Sequence, residues 1–241
     1  IGLVTIALEN GLVTPRTPGQ LDLETPAGKV SVTYTTQGRK VRSVRLVNVP
    51  SFLHSSGLEV DFPELGGSLR FDVAYGGNFY AIVEPQPHYD DLSEVSAADI
   101  VRLSPVLRRR INDQYTFAHP EDDRLSHMRH VMWTGAPRKE GSDGRNAVFY
   151  GDAAIDRSAC GTGTSSRMAQ LAARGELAAG DEFIHESYIG SRFRGRVDSM
   201  AMVGDFPAIV PSIEGWARVY GHNVITVDPE DDPFWEGFVV T

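Results

Sequence analysis

Apolar and polar positions alternate with a period of two through most of the chain, the pattern of half-buried strands. "LDLETPAGKVSVTY" (21–34) reads as two strands joined at Pro26-Ala27-Gly28, and "RKVRSVRLVNVPSFL" (39–53) as a strand that Pro50 ends. "SLRFDVAYGGNFYAIVE" (68–84) reads as a strand pair broken at Gly76-Gly77, where a bulge or a close backbone approach is expected. "NAVFYG", "DEFIHESYIG", "RFRGRVDSM", "FPAIVPSI", "GWARVYG" and "HNVITV" add further strands. Helical spacing occurs in three places. The first is the apolar "IGLVTIALENG" (1–11). The second has Ile100, Leu103, Val106, Leu107 and Ile111 behind a cap at Ser93 or Ser96. The third has Met168, Leu171 and Ala172 after the polar run "CGTGTSS". A Gly- and charge-rich loop, Arg138 to Arg145, separates the second helix from "NAVFYG". The mixture predicts an α+β fold of antiparallel sheets wrapped around a few helices.

A weak repeat runs beneath this pattern. With Gly11 laid on Gly175, Ile1 falls opposite Ser165, and Gly19 with Gly180 and Gly28 with Gly190 follow at matching points. Two halves, each with a helix whose N-terminus points at something, imply one site between them. The counterparts of Cys160 to Thr164 then precede Ile1. The expected division is residues 1–86, joined by 223–241, and residues 87–222.

Composition narrows the function. The 241 residues are 41% hydrophobic with 24 Gly and 14 Pro, enough for one large domain or two small ones. No apolar run reaches the roughly 18 residues of a membrane span, and no secretory signal is visible, although the chain begins at Ile1 rather than Met. A net charge of −9 argues against nucleic acid as a partner. Lys29, Lys40 and Lys139 are the only lysines among 23 basic residues, and all lie in strand or turn contexts, which argues against pyridoxal chemistry. A single cysteine cannot form an internal disulfide and fits a cytoplasmic location.

That cysteine sits in the stretch richest in candidate chemistry. Cys160 precedes a helix N-terminus, where free backbone N–H groups and the helix dipole favour an anion. A thiol so placed can fall from about 8.5 into a range of roughly 3.5–7.5, so a thiolate at neutral pH is expected. The flanking glycines let a ligand reach the backbone, the same N–H groups can hold a carboxylate, and Asp156 lies one turn earlier. Taken by itself, a lone cysteine is more often a small buried hydrophobe. His119 and His127 are spaced poorly for a metal site.

"DRSACGTGTSSRMAQLAARGEL", "AYGGNFYAIVEPQ", "RNAVFYGDAAIDRS", "PAIVPSIEGWARV" and "DPFWEGF" closely resemble the proline racemase family, particularly its bacterial 4-hydroxyproline 2-epimerase members. The resemblance runs from Ile1 to the C-terminus. It implies a diaminopimelate-epimerase-like fold of two pseudo-symmetric halves, each an antiparallel sheet around a central helix, and cofactor-free epimerisation of a small amino acid. Two cysteines would face opposite sides of the substrate α-carbon. Family members carry a Met-Cys-Gly-His-Gly-Thr segment just before the stretch matching "IGLVTIALENG". By resemblance Cys160 is the second acid/base, Gly161 and Thr162 bind the carboxylate, Asp156 contacts the ring nitrogen and His130 contacts substrate. The common family string has Pro where this chain has Ala159, which should loosen the turn before the cysteine.

Other readings stay open at this level. A trans-3-hydroxyproline dehydratase would have threonine at the position of Cys160. A proline racemase would differ where the substrate ring lies, near Tyr150. A non-catalytic amino-acid-binding module would keep one half-site. The partner expected in each case is a small molecule, with no metal, no nucleic acid and no membrane, and a homodimer is compatible with the sequence.

Overall fold

The computed structural model describes residues 1–26 and 28–237; Ala27 of the first predicted turn and Phe238 of "DPFWEGF", with the rest of the C-terminal segment, lie outside them. The elements run α1 (Gly2–Glu9), β1 (Gln20–Thr25), β2 (Gly28–Gln37), β3 (Lys40–Val47), β4 (Ser51–Phe62), β5 (Gly67–Tyr75), β6 (Phe79–Val83) and α2 (Ala97–Gln114). They continue with β7 (Ala118–His119), β8 (Asp122–Ser126), β9 (Met128–Gly135), β10 (Gly144–Tyr150), β11 (Ala154–Ile155) and α3 (Gly161–Ala173). Three strands finish the fold: β12 (Glu182–Ser187), β13 (Arg192–Val203) and β14 (Phe206–Gly215).

The main sheet follows the order β14–β13–β12–β10–β9–β6–β5–β4. β4 then returns to β14 through Ser51 opposite Ile209 and Phe52 opposite Ala208, so the ladder closes into a ring. β3, β2 and β1 extend from the far part of β14, and β7–β8 form a separate hairpin. Two joints depart from the antiparallel expectation: β6–β9 and β10–β12 are parallel. A parallel pair needs a long crossover, and α2 and α3 lie in those two connections.

Strand parity sorts the core. On β5, β6, β9 and β10, Val73, Tyr75, Phe79, Ala81, Val83, Val131, Trp133, Ala147 and Phe149 form one cluster with Ile100, Leu103, Leu107 and Ile111 of α2. The alternate positions, Ala74, Tyr80, Ile82, Met132 and Val148, cluster on the other face, where Cys160 packs. With both faces covered, these strands read as continuous apolar runs. Ser96 is the cap of α2: its hydroxyl accepts from the Asp99 N–H at 3.1 Å and donates to the Asp99 carboxylate at 2.7 Å.

The three glycine pairs of the sequence repeat all take positive φ: 66° and 76° at Gly11 and Gly175, 79° and 97° at Gly19 and Gly180, 121° and 84° at Gly28 and Gly190. The strands expected in "GWARVYG" and "HNVITV" are absent; residues 216–237 carry no strand. Alternation makes a strand only where it pairs with a neighbour, and Tyr220, Val224 and Ile225 lie in no ladder and stand exposed. Among the described residues no helix is long and apolar enough to cross a membrane.

Candidate active site

Helix α3 is enclosed by the ring, touching β4, β5, β6, β13 and β14. Its polar residues Thr164, Ser165, Ser166 and Gln170 are as buried as Met168 and Leu171, and each must therefore find a partner. Asn48 Nδ2 contacts the Ser165 hydroxyl at 2.9 Å and donates to the Gly76 carbonyl at 2.8 Å. Gln170 Nε2 donates to Asp72 at 2.7 Å, while Arg174 meets Asp72 at 2.7 Å and Arg167 meets Glu84 at 2.8 Å. Burial works to raise the Glu84 carboxyl, but the Arg174 and Arg167 guanidiniums outweigh it and leave the carboxyl below its ordinary value. The close approach expected at Gly76 is present: a Cβ there would overlap the Thr162 carbonyl and the side chain and amide of Ser166.

These anchors fix the helix start, where Cys160 is the cap residue. Its φ is +60° and its ψ 117°, a conformation that L side chains rarely take. Sγ lies 3.4 Å from the Tyr80 hydroxyl and 3.9 Å from Oγ1 of Thr162, and those two hydroxyls are 2.6 Å apart. The Gly163 N–H also points at the sulfur. The expected depressed pKa is not found. Burial pushes the Cys160 thiol up and the Asp156 carboxylate adds to it, while the donors from Tyr80, Gly163 and Thr162 recover only part of the difference. Position at a helix N-terminus is outweighed here by desolvation.

Cys160 stands where two cavities meet. A cleft of about 930 Å³ is lined by Cys160, Gly161, Thr162, Asp156, Gly77 and Asn78 on one side and by Asp122, Arg124, His127 and Arg129 on another. A side pocket of about 240 Å³ shares Asn78, Asp156, Cys160 and Thr162 and adds Tyr80, His130, Val148 and Tyr150. All five residues singled out from the sequence, Cys160, Asp156, Gly161, Thr162 and His130, therefore border one connected space. The N–H groups of Gly161 and Thr162, at the head of α3, have no intrahelical acceptor, and both residues line the larger cleft. Asp156 uses one oxygen to accept the Ser158 N–H at 2.8 Å.

His130 stacks obliquely on Tyr80 at 4.9 Å. Burial, with help from Arg108 and Arg129, lowers its imidazole to about 4, against a backbone bond to Phe149, and its Nδ1 is buried without a partner. Among the described residues no group of three or more His, Cys, Asp or Glu side chains could hold a metal ion. Sequence reasoning missed Tyr80. Its signal was parity: Tyr80 and Ile82 alternate with Phe79, Ala81 and Val83 and so face the cysteine helix rather than α2.

The model of the family described as proline racemase matches residues 1–239. The 4-hydroxyproline epimerase of Brucella ovis is 59% identical over 240 residues, covering all of this chain and 72% of that protein. The crystal structure of a probable proline racemase from Agrobacterium radiobacter with bound carbonate superposes with a TM-score of 0.89 at 34% identity, covering 100% of this chain and 70% of that one. A hydroxyproline epimerase from Agrobacterium vitis with bound trans-4-hydroxy-L-proline superposes with a TM-score of 0.87 at 31% identity, covering 99% of this chain and 68% of that one. With a helix-capping cysteine at the head of an open cleft and a family match across nearly its whole length, this chain belongs to the proline racemase family of amino-acid isomerases.

Proposed function

We propose that the protein inverts the α-carbon of 4-hydroxyproline, interconverting trans-4-hydroxy-L-proline and cis-4-hydroxy-D-proline, without cofactor. The observation that carries this reading is the placement of Cys160 beside Asp156 and the first turn of α3, at the junction of the two cavities. Inversion needs an acid and a base on opposite faces of the carbon, because a single base tends to return the proton to the face it left. Cys160 serves one face. Its raised pKa makes it a thiol at neutral pH, ready to deliver a proton to the carbanion. The base on the other face is a second thiol, which the single cysteine of these 241 residues does not supply.

The remaining groups bind and orient. The N–H groups of Gly161 and Thr162 take the substrate carboxylate, whose charge grows toward the carbon as the proton leaves, so preorganised donors there stabilise the transition state. Asp156 keeps one oxygen free of Ser158 for the ring nitrogen. His130 Nδ1, unpartnered at the side pocket, suits the ring hydroxyl. The substrates named for the relatives from Brucella ovis and Agrobacterium vitis support hydroxyproline over proline.

The test uses Cys160→Ser and Asp156→Ala in the intact protein, with inversion, α-deuterium uptake and affinity for pyrrole-2-carboxylate measured in each. Cys160→Ser should lose inversion, keep affinity and still exchange the α-proton of one enantiomer; Asp156→Ala should lose affinity. Near-normal inversion by Cys160→Ser would sink the mechanism, and inversion abolished by EDTA and restored by a divalent metal would refute its cofactor-free character.

A further inference from the structure

Behind Cys160, away from both cavities, lies a polar cluster that the reading above does not use. Asn146 and Thr164 are fully buried, His185 is 1% exposed, and they come from β10, α3 and β12. Two of them meet on the carbonyl that precedes the cysteine, and the third, His185, stands behind Thr164. Asn146 Nδ2 donates to the Ala159 oxygen at 2.8 Å, and the Thr164 hydroxyl donates to the same oxygen at 3.0 Å. His185 Nδ1 stands 3.0 Å from the Thr164 hydroxyl.

The protons in this cluster can be counted. Thr164 has one, which its hydrogen bond to the Ala159 carbonyl uses, and in that arrangement Thr164 Oγ1 accepts from His185 Nδ1–H. The opposite nitrogen, Nε2, is buried with no partner. With Nδ1 protonated, Nε2 leaves only a bare lone pair; the other tautomer would bury an unpaired N–H, which is the costlier orphan. The 3.2 Å approach of Asn146 Nδ2 to His185 Nδ1 is then a contact between donors. Burial holds the His185 imidazole down at about 3, so the donor stays neutral through the physiological range.

The other side of the same peptide is held too. The Cys160 N–H donates to Ser158 Oγ at 3.0 Å, and the Ser158 N–H donates to Asp156 at 2.8 Å. With both ends of the Ala159–Cys160 peptide tied, its plane cannot rotate, and the next torsion is the +60° φ of Cys160. Such a conformation persists only where its surroundings over-determine it. Ala159 supplies no proline ring to stiffen this turn, so the hold comes from these polar groups.

We propose that Thr164, His185 and Asn146 are positioning residues for Cys160: Thr164 and Asn146 grip the Ala159 carbonyl, His185 fixes the Thr164 hydroxyl, and together they hold the cysteine in the left-handed conformation that aims Sγ at the substrate cleft. This rests on Cys160 being the acid/base of the proposed reaction, but its effect on the thiol can be read without substrate.

The experiment compares Thr164→Val, which keeps shape and removes the hydroxyl, with Thr164→Ser, which restores it. Two readouts are taken on the intact protein: the pH profile of Cys160 alkylation by iodoacetamide, and kcat and KM for inversion per titratable thiol. Because a misplacement of about 1 Å in a reacting group can cost on the order of 100-fold, Thr164→Val should lower kcat by at least about tenfold with KM changed by less than about threefold. Its alkylation midpoint should rise by about half a pH unit or more, as Sγ drifts from the Tyr80 and Gly163 donors. Thr164→Ser should return both values to the parent's. A merely structural role would lower melting temperature and thiol titre while leaving the alkylation profile and per-site kcat unchanged, and that result overturns the proposal. Should Thr164→Val not fold, His185→Leu and His185→Asn give the same contrast, since asparagine keeps a donor near the Nδ1 position. An altered alkylation profile in protein that never inverts hydroxyproline would keep the clamp and count against the proposed reaction instead.

Discussion

The Tyr80 hydroxyl stands 3.4 Å from Sγ of Cys160, and the same oxygen shares a 2.6 Å hydrogen bond with Thr162 Oγ1. Burial carries the phenol well above its ordinary pKa, so it keeps its proton at neutral pH. Tyr80 is therefore a partner for the sulfur, and a stronger one when the sulfur is a thiolate. Removing the hydroxyl with Tyr80→Phe should raise the alkylation midpoint of Cys160, already above an ordinary thiol's roughly 8.5, by about one further unit. Alkylation by iodoacetamide across pH 6–11 reads both values. A parent midpoint at or below 8.5 would contradict the buried, raised thiol described above.

Gly76 is the point where β5 meets the first turn of α3. A methyl group there would push on the Thr162 carbonyl and on Ser166, and backbone of a fully enclosed helix has nowhere to move. Gly76→Ala should cost about 1–3 kcal/mol, the usual range for overpacking, and should reduce inversion by more than the lost stability explains. Chemical denaturation and kcat, measured on the same preparation, separate the two.

His130 lines the side pocket, and its Nδ1 is buried there without a partner. If that nitrogen meets the ring hydroxyl, His130→Phe should lower kcat/KM for 4-hydroxyproline about tenfold, the worth of one hydrogen bond, and leave the value for proline within about twofold. Equal losses for the two substrates would assign the ring a packing role only.

Stability should fall on mild acidification. His130 and His185 are held by burial at about 4 and about 3, whereas on unfolding they return toward 6.5. Below 6.5 the unfolded chain binds protons that the folded chain refuses, so the stabilisation is complete above that pH and drains away as the pH drops toward the folded values. The slope is at most about 1.4 kcal/mol per pH unit for each histidine. Denaturant midpoints at pH 8, 6 and 5 measure it, and imidazole NMR signals of both residues should keep their neutral positions at pH 5.

Much of this was legible from residues alone, and the exceptions have physical reasons. The cysteine helix showed itself through its glycines and hydroxyls, and Ser96 and Gly76 through local chemistry. The complete burial of α3 did not show, because Thr164, Ser165 and Gln170 are satisfied by His185, Asn48 and Asp72, residues distant in sequence. The thiol's raised pKa was hidden for the same reason: a helix N-terminus is visible in a sequence, but the desolvation that outweighs it is tertiary. In β4 the polar run "HSSG" hides a strand whose register shifts twice against β5, between Leu53 and Ser55 and again between Ser55 and Leu58. "HNVITV" had the alternation of a strand and lacked only a neighbour.

The closed ladder around α3 also fixes where the molecule should breathe. A ring offers no edge from which to fray, so opening must start by parting a seam. Between β4 and β14 the seam is only two residue pairs long, Ser51–Ile209 and Phe52–Ala208, while the neighbouring joints β4–β5 and β13–β14 run much further. Amide hydrogens there should exchange ahead of those in β6, β9 and β10, which lie on the opposite side of the ring. Solvent would then reach α3 along its flank, and the strands beneath Tyr80 and His130 would be the last to let go.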